Sequence, residues 1–376
     1  MMLNPIPAQP AARQPRGIVK LNGAPVAGWI SWEVTSNTYY EADTFRVSFA
    51  VSTLPKDHDV TWFFTQQEVY VEIFAGFPNN PADPNAAELV SQIYGRADEI
   101  EFDPVSTLIT LHGRDLTALY IDNKVTDTYT EKTSSEIAVI LALAEFLTPV
   151  VTPTKTKAAT YYKREQVTIH ANRSRWDLLA YLAREEGFVC YVTGNELHFE
   201  PDTLATADPY VIHWEKPTPT TSTPTANVQE LSFSRALTVA RGVNVTVRSA
   251  SLTKKVPVVE SYPGHAKAIQ AGKAGLYGSV QQYDFKVKAG TTPMRAQQIA
   301  QSRYHEIVSH EMKLRARLPG DNLLTTKNVI RVEGTGTPVD QIYFPMAITR
   351  MMSMDEGYTM TVDAKNLNPN TVAINS

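Results

Sequence analysis

Apolar and polar residues alternate with a period of two over much of the first third of the chain. In Thr44–Val51, Phe45, Val47, Phe49 and Val51 fall on one face and Thr44, Arg46 and Ser48 on the other, the pattern of a half-buried strand. Glu68–Phe74 repeats it with Val69, Val71 and Ile73, and Ser106–His112 with Thr107, Ile109 and Leu111. Residues 18–113 thus predict strand after strand, broken by the Pro/Asn-rich loop Phe77–Asn85. Such a series of short strands with no long helix suits a small barrel or sandwich.

The period then changes. Thr133 with Glu136 forms a capping box, and Ile137, Ile140, Leu141 and Ala144 follow at helical spacing. Ser174 with Asp177 opens a second helix, whose buried side is Trp176, Leu178, Leu179, Leu182 and Ala183 and whose stop is Gly187. Phe188–Val192, the turn Thr193–Asn195 and Glu196–Glu200 predict a β-hairpin. Pro217–Thr225 has eight Pro or Thr in nine residues, too little apolar surface to pack, and is expected to be a linker. Strand patterning resumes over Val228–Val247. Pro293 opens a helix to about Val308, with Met294, Ile299, Ala300 and Ile307 inward. Met312–Leu318, Asn328–Glu333, Ile342–Met351 and Tyr358–Asp363 are further strand candidates.

The expected fold class is α+β, mostly β: two tube-like β-barrels flanking a small α+β domain. The expected organisation is a flexible arm over 1–17, a first β-barrel over 18–116, an α+β insert over 117–214 and a Pro/Thr linker over 215–227. A second β-barrel with one helix spans 228–366, and a tail follows over 367–376. A length of 376 residues agrees with two to three domains, at roughly 150 residues each.

Composition narrows the function classes. A single cysteine, Cys190, rules out a disulfide framework and any Cys-based zinc site and fits a reducing compartment. The longest apolar run, Ile137–Leu147, is interrupted by Glu145 and is too short to span a membrane. Met1–Gly17 is Pro- and Ala-rich with no apolar stretch, unlike a secretory signal. The net charge of −4 hides polarity: residues 1–120 hold 7 basic and 14 acidic side chains, whereas residues 231–320 hold 14 basic and 4 acidic. The basic residues there (Arg235, Arg241, Arg248, Lys254, Lys255, Lys267, Lys273, Lys286 and Lys288) are not interleaved with aromatics as a single-strand nucleic-acid platform would be, and a solvated face is the favoured reading.

A search for chemistry returns nothing above background. His305 and His310 lie five residues apart, about 140° around a helix, where a shared zinc needs four. Gly272-Lys273-Ala274 lacks the glycine at 267 and the hydroxyl at 274 of a phosphate loop. Gly334-Thr335-Gly336 suits a turn between strands. Asp98/Glu99/Glu101 and Glu185/Glu186 are carboxylate clusters with no sign of a cleft, and Cys190 sits in an apolar strand, where a core role is expected. No catalytic, cofactor-binding or metal-binding residue is assigned, and no enzyme activity or cofactor is expected.

Two stretches resemble a known family. One is Gly113-Arg114-Asp115-Leu116-Thr117-Ala118-Leu119 with Asp122. The other is Trp176-Asp177-Leu178-Leu179-Ala180-Tyr181-Leu182-Ala183 with Gly187-Phe188 and Glu196-Leu197-His198-Phe199. Their order and spacing resemble the baseplate hub proteins of contractile-tailed phages, the Mu-type tail hub and late-control-D family, related to the N-terminal part of type VI secretion (VgrG) spikes. Arg303-Tyr304, Pro319-Gly320-Asp321-Asn322 and the run to Ile348 fit that family's last barrel. The resemblance spans about residues 16–366.

It implies a homotrimer whose six barrels form a pseudo-sixfold ring, a structural adaptor between a sixfold tail tube and a threefold central spike. The implied partners are a second and third copy, the tail tube protein, a separate spike protein, the tape measure protein and other baseplate proteins. DNA is met only in transit, there is no stable membrane association, and the place is the virion tail baseplate, assembled in the host cytoplasm. A virion hub and a domesticated contractile injection system remain alike at this level. Two other classes compete. A tail-associated cell-wall hydrolase would clear cell wall in a zymogram, and a carbohydrate-binding tail protein would expose an aromatic platform. Tyr39/Tyr40 and Trp62/Phe63/Phe64 are the candidates for such a platform, with core or subunit contacts the expected fate.

Overall fold

The computed structural model describes residues 2–4, 14–84, 86–124, 129, 132–155, 174–202, 208–219, 223–240, 242–250, 256–264, 280–287 and 290–366. The fold is α+β and mostly β. A branched sheet of 14 strands forms its spine. One half runs Ala24–Pro25, Arg16–Leu21, Tyr70–Gly76, Val90–Asp103, Leu108–Asp115, Thr44–Ala50 and Trp29–Asn37. Trp29–Asn37 then pairs antiparallel with Ile342–Ser353, from Ala347 opposite Asn37 to Ser353 opposite Ser31. From Ile342–Ser353 the second half branches. Gly357–Asn366, Met312–Pro319 and Glu230–Arg235 follow on one side; Ile330–Glu333, Tyr210–Glu215 and Thr225–Ala226 follow on the other. The strand path is open, and no closing pair joins its ends among the described residues.

The alternation seen in the sequence has a direct cause. Phe45, Val47 and Phe49 are at most 4% exposed and meet Val71, Ile73, Ile109 and Leu111 in the core of the first half. Two strand limits move. Val51 begins a single 3₁₀ turn instead of extending its strand. Thr107, expected in line with Ile109 and Leu111, sits in the preceding turn at φ 55°, and its strand is Leu108–Asp115.

The insert folds as its caps dictate. Thr133 and Ser174 each close a capping box, with Glu136 and Asp177 as the reciprocal partners. Helices Ser134–Ala144 and Arg175–Glu186 pack Ile137, Leu141, Leu179 and Leu182 against Leu197 and Phe199. The sheet beneath them orders Thr148–Val151, Glu196–Pro201 and Phe188–Thr193. Tyr210–Glu215, grouped with the insert in the sequence, pairs in parallel with Ile330–Glu333 and belongs to the core of the second half.

The patterned run Val228–Val247 is not one strand: helix Leu237–Ala240 separates Glu230–Arg235 from Val243–Ser249. Val243–Ser249 is central in a three-stranded sheet with Val258–Tyr262 and Gln281–Val287. Helix Pro293–Val308 covers that sheet, capped by Thr292 with Pro293 in its first turn. Its buried stripe is Ala296, Ala300, Tyr304 and Val308. The expected inward residues fare differently: Ala300 is buried, Ile299 and Ile307 are half-buried, and Met294 is 74% exposed. A strict four-residue step carries the small alanines, which let the helix axis approach the sheet closely.

Of the expected N-terminal arm, Leu3 and Asn4 are tied to the second half. The Leu3 amide donates to the Pro209 carbonyl at 3.1 Å, and Asn4 is 7% exposed. The 367–376 tail and part of the 215–227 linker lie outside the described residues.

Candidate assembly interface

Three joints of polar contacts link the core units. At the seam between the sheet halves the Thr35 and Thr349 hydroxyls lie 3.0 Å apart. The turn after Pro319 locks the same seam. Tyr210 donates to the Asp321 carboxylate at 2.6 Å, and Tyr358 to the Asn322 side-chain oxygen at 2.7 Å. Asn322 donates in turn to the Ala75 carbonyl at 2.9 Å, across to the first half. Arg350 Nε donates to the Asp321 carbonyl at 2.8 Å. Burial, reinforced by the Asp321 charge, pushes the Tyr210 hydroxyl well above its ordinary range and keeps it a donor. In the sequence, Asp321 and Asn322 follow Pro319-Gly320 with no local sign of these distant partners.

A second joint binds the insert to the first half. Tyr40, at φ 76°, donates its amide to the Cys190 carbonyl and its hydroxyl to the Phe188 carbonyl at 2.5 Å. Its own carbonyl accepts from Trp176 Nε1 at 2.8 Å, and the Arg184 guanidinium stands over its ring. Beside it lie two carboxyls. Asp43 accepts from the Asn37 amide at 2.8 Å, and Asp115, 5% exposed, accepts from the Thr117 amide and hydroxyl at 3.1 and 3.0 Å. Burial pushes Asp43 up to about 7. Burial, then the neighbouring Asp43 charge, raises Asp115 well above the carboxylate range. The members of this pair lie far apart in the sequence, and only the pairing of Thr44–Ala50 with Leu108–Asp115 brings them together.

A third joint ties the insert hairpin to the second half. Lys327 meets the Tyr191 hydroxyl and lies 3.7 Å from Glu200, and Tyr191 donates to Glu200 at 2.6 Å. His198 stacks on Tyr191 at 4.5 Å. Burial, then Lys327, lowers its pKa. Tyr39 packs on Tyr191 at 5.5 Å and is pushed up to about 12, mostly by burial.

Most of the described sequence candidates for chemistry make ion-pair, hydrogen-bond or packing contacts. Arg114 lies between Asp98, at 2.6 Å, and Asp122, at 3.1 Å; Glu101 lies 3.8 Å from His112, and Glu99 stands opposite His112 in the strand register. Glu186 accepts from Ser134 at 2.7 Å, and the Glu185 carbonyl accepts from Arg295 at 2.8 Å. His305 is exposed on its helix beside Tyr262, whereas His310 lies past the helix end, where burial and then Lys365 and Lys313 lower its pKa. Cys190 is fully buried, and burial raises its thiol pKa. Gly334 and Gly336 form the turn before Ile342–Ser353. Residues 267–274 lie outside the described ones. Among the described residues no cluster of three or more His, Cys, Asp or Glu could hold a metal ion, and no helix is long and apolar enough to cross a membrane.

The aromatic candidates are not a platform either. Phe63 is fully buried, Trp62 packs against the first core, and Phe64 alone of the three is largely exposed, at 57%. In the basic segment, Arg235 pairs with Glu311, Arg248 with Asp284 and Arg303 with Glu306, each at 2.7 Å. Arg241, Lys254, Lys255, Lys267, Lys273 and Lys288 lie outside the described residues.

No profile of a known protein family matches the sequence, and no curated protein does. Solved structures do match over nearly the whole chain. A tail protein from Neisseria meningitidis MC58 superposes with a TM-score of 0.65 at 14% identity, covering 95% of this chain and 99% of its own. The 43 kDa tail protein of prophage MuSo2 from Shewanella oneidensis gives 0.66 at 14%, with the same coverage. The chain has the fold of phage tail proteins. An E. coli type VI secretion component, likened to the T4 bacteriophage tail proteins gp27 and gp5, gives 0.51 at 11% identity, over 92% of this chain and 76% of that one. The three joints lie where the first half meets the second, where the insert meets the first half and where the insert meets the second half.

Proposed function

We propose that the chain is a structural baseplate hub: a trimeric adaptor that joins a sixfold tail tube to a threefold central spike and leaves a channel for DNA. The observation that carries this reading is the division of the spine. Its 14 strands split at the Trp29–Asn37/Ile342–Ser353 seam into two seven-strand halves, each with its own core. Three copies supply six halves, the number a ring needs to meet a sixfold tube while keeping threefold symmetry. The locked joints serve the same end, because a ring closes only if each copy holds its halves at one fixed angle. The role is non-catalytic, the partners are further copies, tube and spike proteins, and the place is the virion tail.

Light scattering on the purified chain tests the reading. A particle near three times 41.7 kDa is expected, and a clean monomer at micromolar concentration overturns it. A DNA conduit also works best when its wall does not hold phosphate, since each neutralised phosphate adds affinity. Most basic side chains of residues 231–320 therefore face away from the bore. A trimer structure with a majority of them lining it would refute that placement.

A further inference from the structure

Strand edges show where a second copy attaches, an inference that rests on the assembly reading above. Exposed edges invite pairing, and proteins blunt them with short strands, prolines or covers. Among the described residues the large sheet has three ends. Two are the two-residue strands Ala24–Pro25 and Thr225–Ala226. Next to Thr225–Ala226, the edge of Tyr210–Glu215 is covered by side-chain amides that imitate a strand. Asn227 accepts from the His213 amide at 2.8 Å and donates to the Val211 carbonyl at 2.8 Å. Asn4 donates to the same carbonyl at 2.8 Å and accepts from the Val211 amide at 2.7 Å.

The third end is Glu230–Arg235, six residues without Pro or Lys, paired only with Met312–Pro319. The Ala236 amide donates to the Glu311 carbonyl at 2.7 Å, continuing the same register. Backbone direction alternates along an antiparallel ladder, so Leu231, Phe233 and Arg235 turn their backbone groups to the open side.

Among the described residues the smaller sheets offer a single comparable edge. Thr148–Val151 contains Pro149, Val258–Tyr262 is flanked by Pro257 and Pro263, and the Phe188 and Cys190 carbonyls are occupied by Tyr40. Gln281–Val287, seven residues without Pro, pairs only with Val243–Ser249. Its Gln281 amide donates inward to the Gly242 carbonyl at 2.9 Å, which leaves the backbone groups of Gln282, Asp284 and Lys286 facing out. A ring contact is head-to-tail and needs two different surfaces on each copy. These two edges, open among the described residues, supply them. We propose that Glu230–Arg235 of one copy adds as a strand to Gln281–Val287 of the next.

Hydrogen exchange on the oligomer and on the diluted monomer tests the pairing. The amides of Leu231, Phe233, Arg235, Gln282, Asp284 and Lys286 should exchange about tenfold or more slowly in the oligomer. Asp284→Pro removes an amide that its own sheet does not use, and its ion pair with Arg248 is half exposed on both sides. The variant should keep its circular dichroism and melting temperature while shifting from trimer to monomer. A wild-type trimer whose six amides exchange as in the monomer overturns the pairing but leaves the assembly reading standing, as does a folded Asp284→Pro trimer. A wild-type chain that is monomeric at every concentration removes both.

Discussion

Single residues hold the joints by shape and by charge. A Cβ on Gly320 would stand 2.5 Å from the Tyr358 ring, and one on Gly113 would stand 2.2 Å from the Arg96 carbonyl oxygen. Gly320→Ala displaces a ring whose hydroxyl secures Asn322, and should lower stability by about 1–3 kcal/mol. Gly113→Ala meets backbone that cannot move aside and should cost at least as much. Thermal melts of both variants check the order. The carboxyl pair sets a pH dependence. Asp43 and Asp115 keep protons in the folded state that an unfolded Asp releases near pH 4. Folded chains thus bind more protons, and stability falls as pH rises from about 4 through about 7. Asp115→Asn keeps an acceptor for Thr117 and removes the charge. It should flatten that slope and raise stability at pH 8 by about 1 kcal/mol, measured by urea unfolding across pH.

At the scale of elements, caps and spacing decide what forms, and packing decides how it sits. Ser174 accepts from the Asp177 amide at the start of Arg175–Glu186, and Ser174→Ala should cost about 1 kcal/mol. Helix Pro293–Val308 lies on its sheet through Ala296 and Ala300, both fully buried. Ala300→Leu has no space to enter and should cost about 1–3 kcal/mol, whereas the same change at exposed Gln301 should cost almost nothing; denaturant midpoints separate the two. Both helices were legible because a cap and an i, i+4 stripe are local. The choice of stripe was not: Met294 and Ala296 both fit a helical period, and only the sheet beneath selected the alanines. Thr107 likewise fits the alternation of its strand, yet the turn from Val90–Asp103 takes it.

At the scale of the molecule, the seam matters most. Trp29–Asn37 and Ile342–Ser353 come from opposite ends of the sequence, and their pairing turns two sheets into one. The Thr35 and Thr349 hydroxyls hydrogen-bond across that pair. Replacing Ser36 with Pro removes a ladder amide that faces Ile348 across the seam and should leave two separable melting transitions where coupled ones are expected of the intact chain, visible by calorimetry.

The sequence by itself determined the period-2 strands of the first half, the capped helices and the hairpin at Gly194, because each depends on residues a few positions apart. Tertiary structure alone decided that Asn4 imitates a strand on Val211, that burial and then Asp43 raise Asp115, and that Tyr210–Glu215 joins the second half. Those contacts depend on register and burial set by the whole sheet, and a partner 207 positions away leaves no periodic trace in the chain.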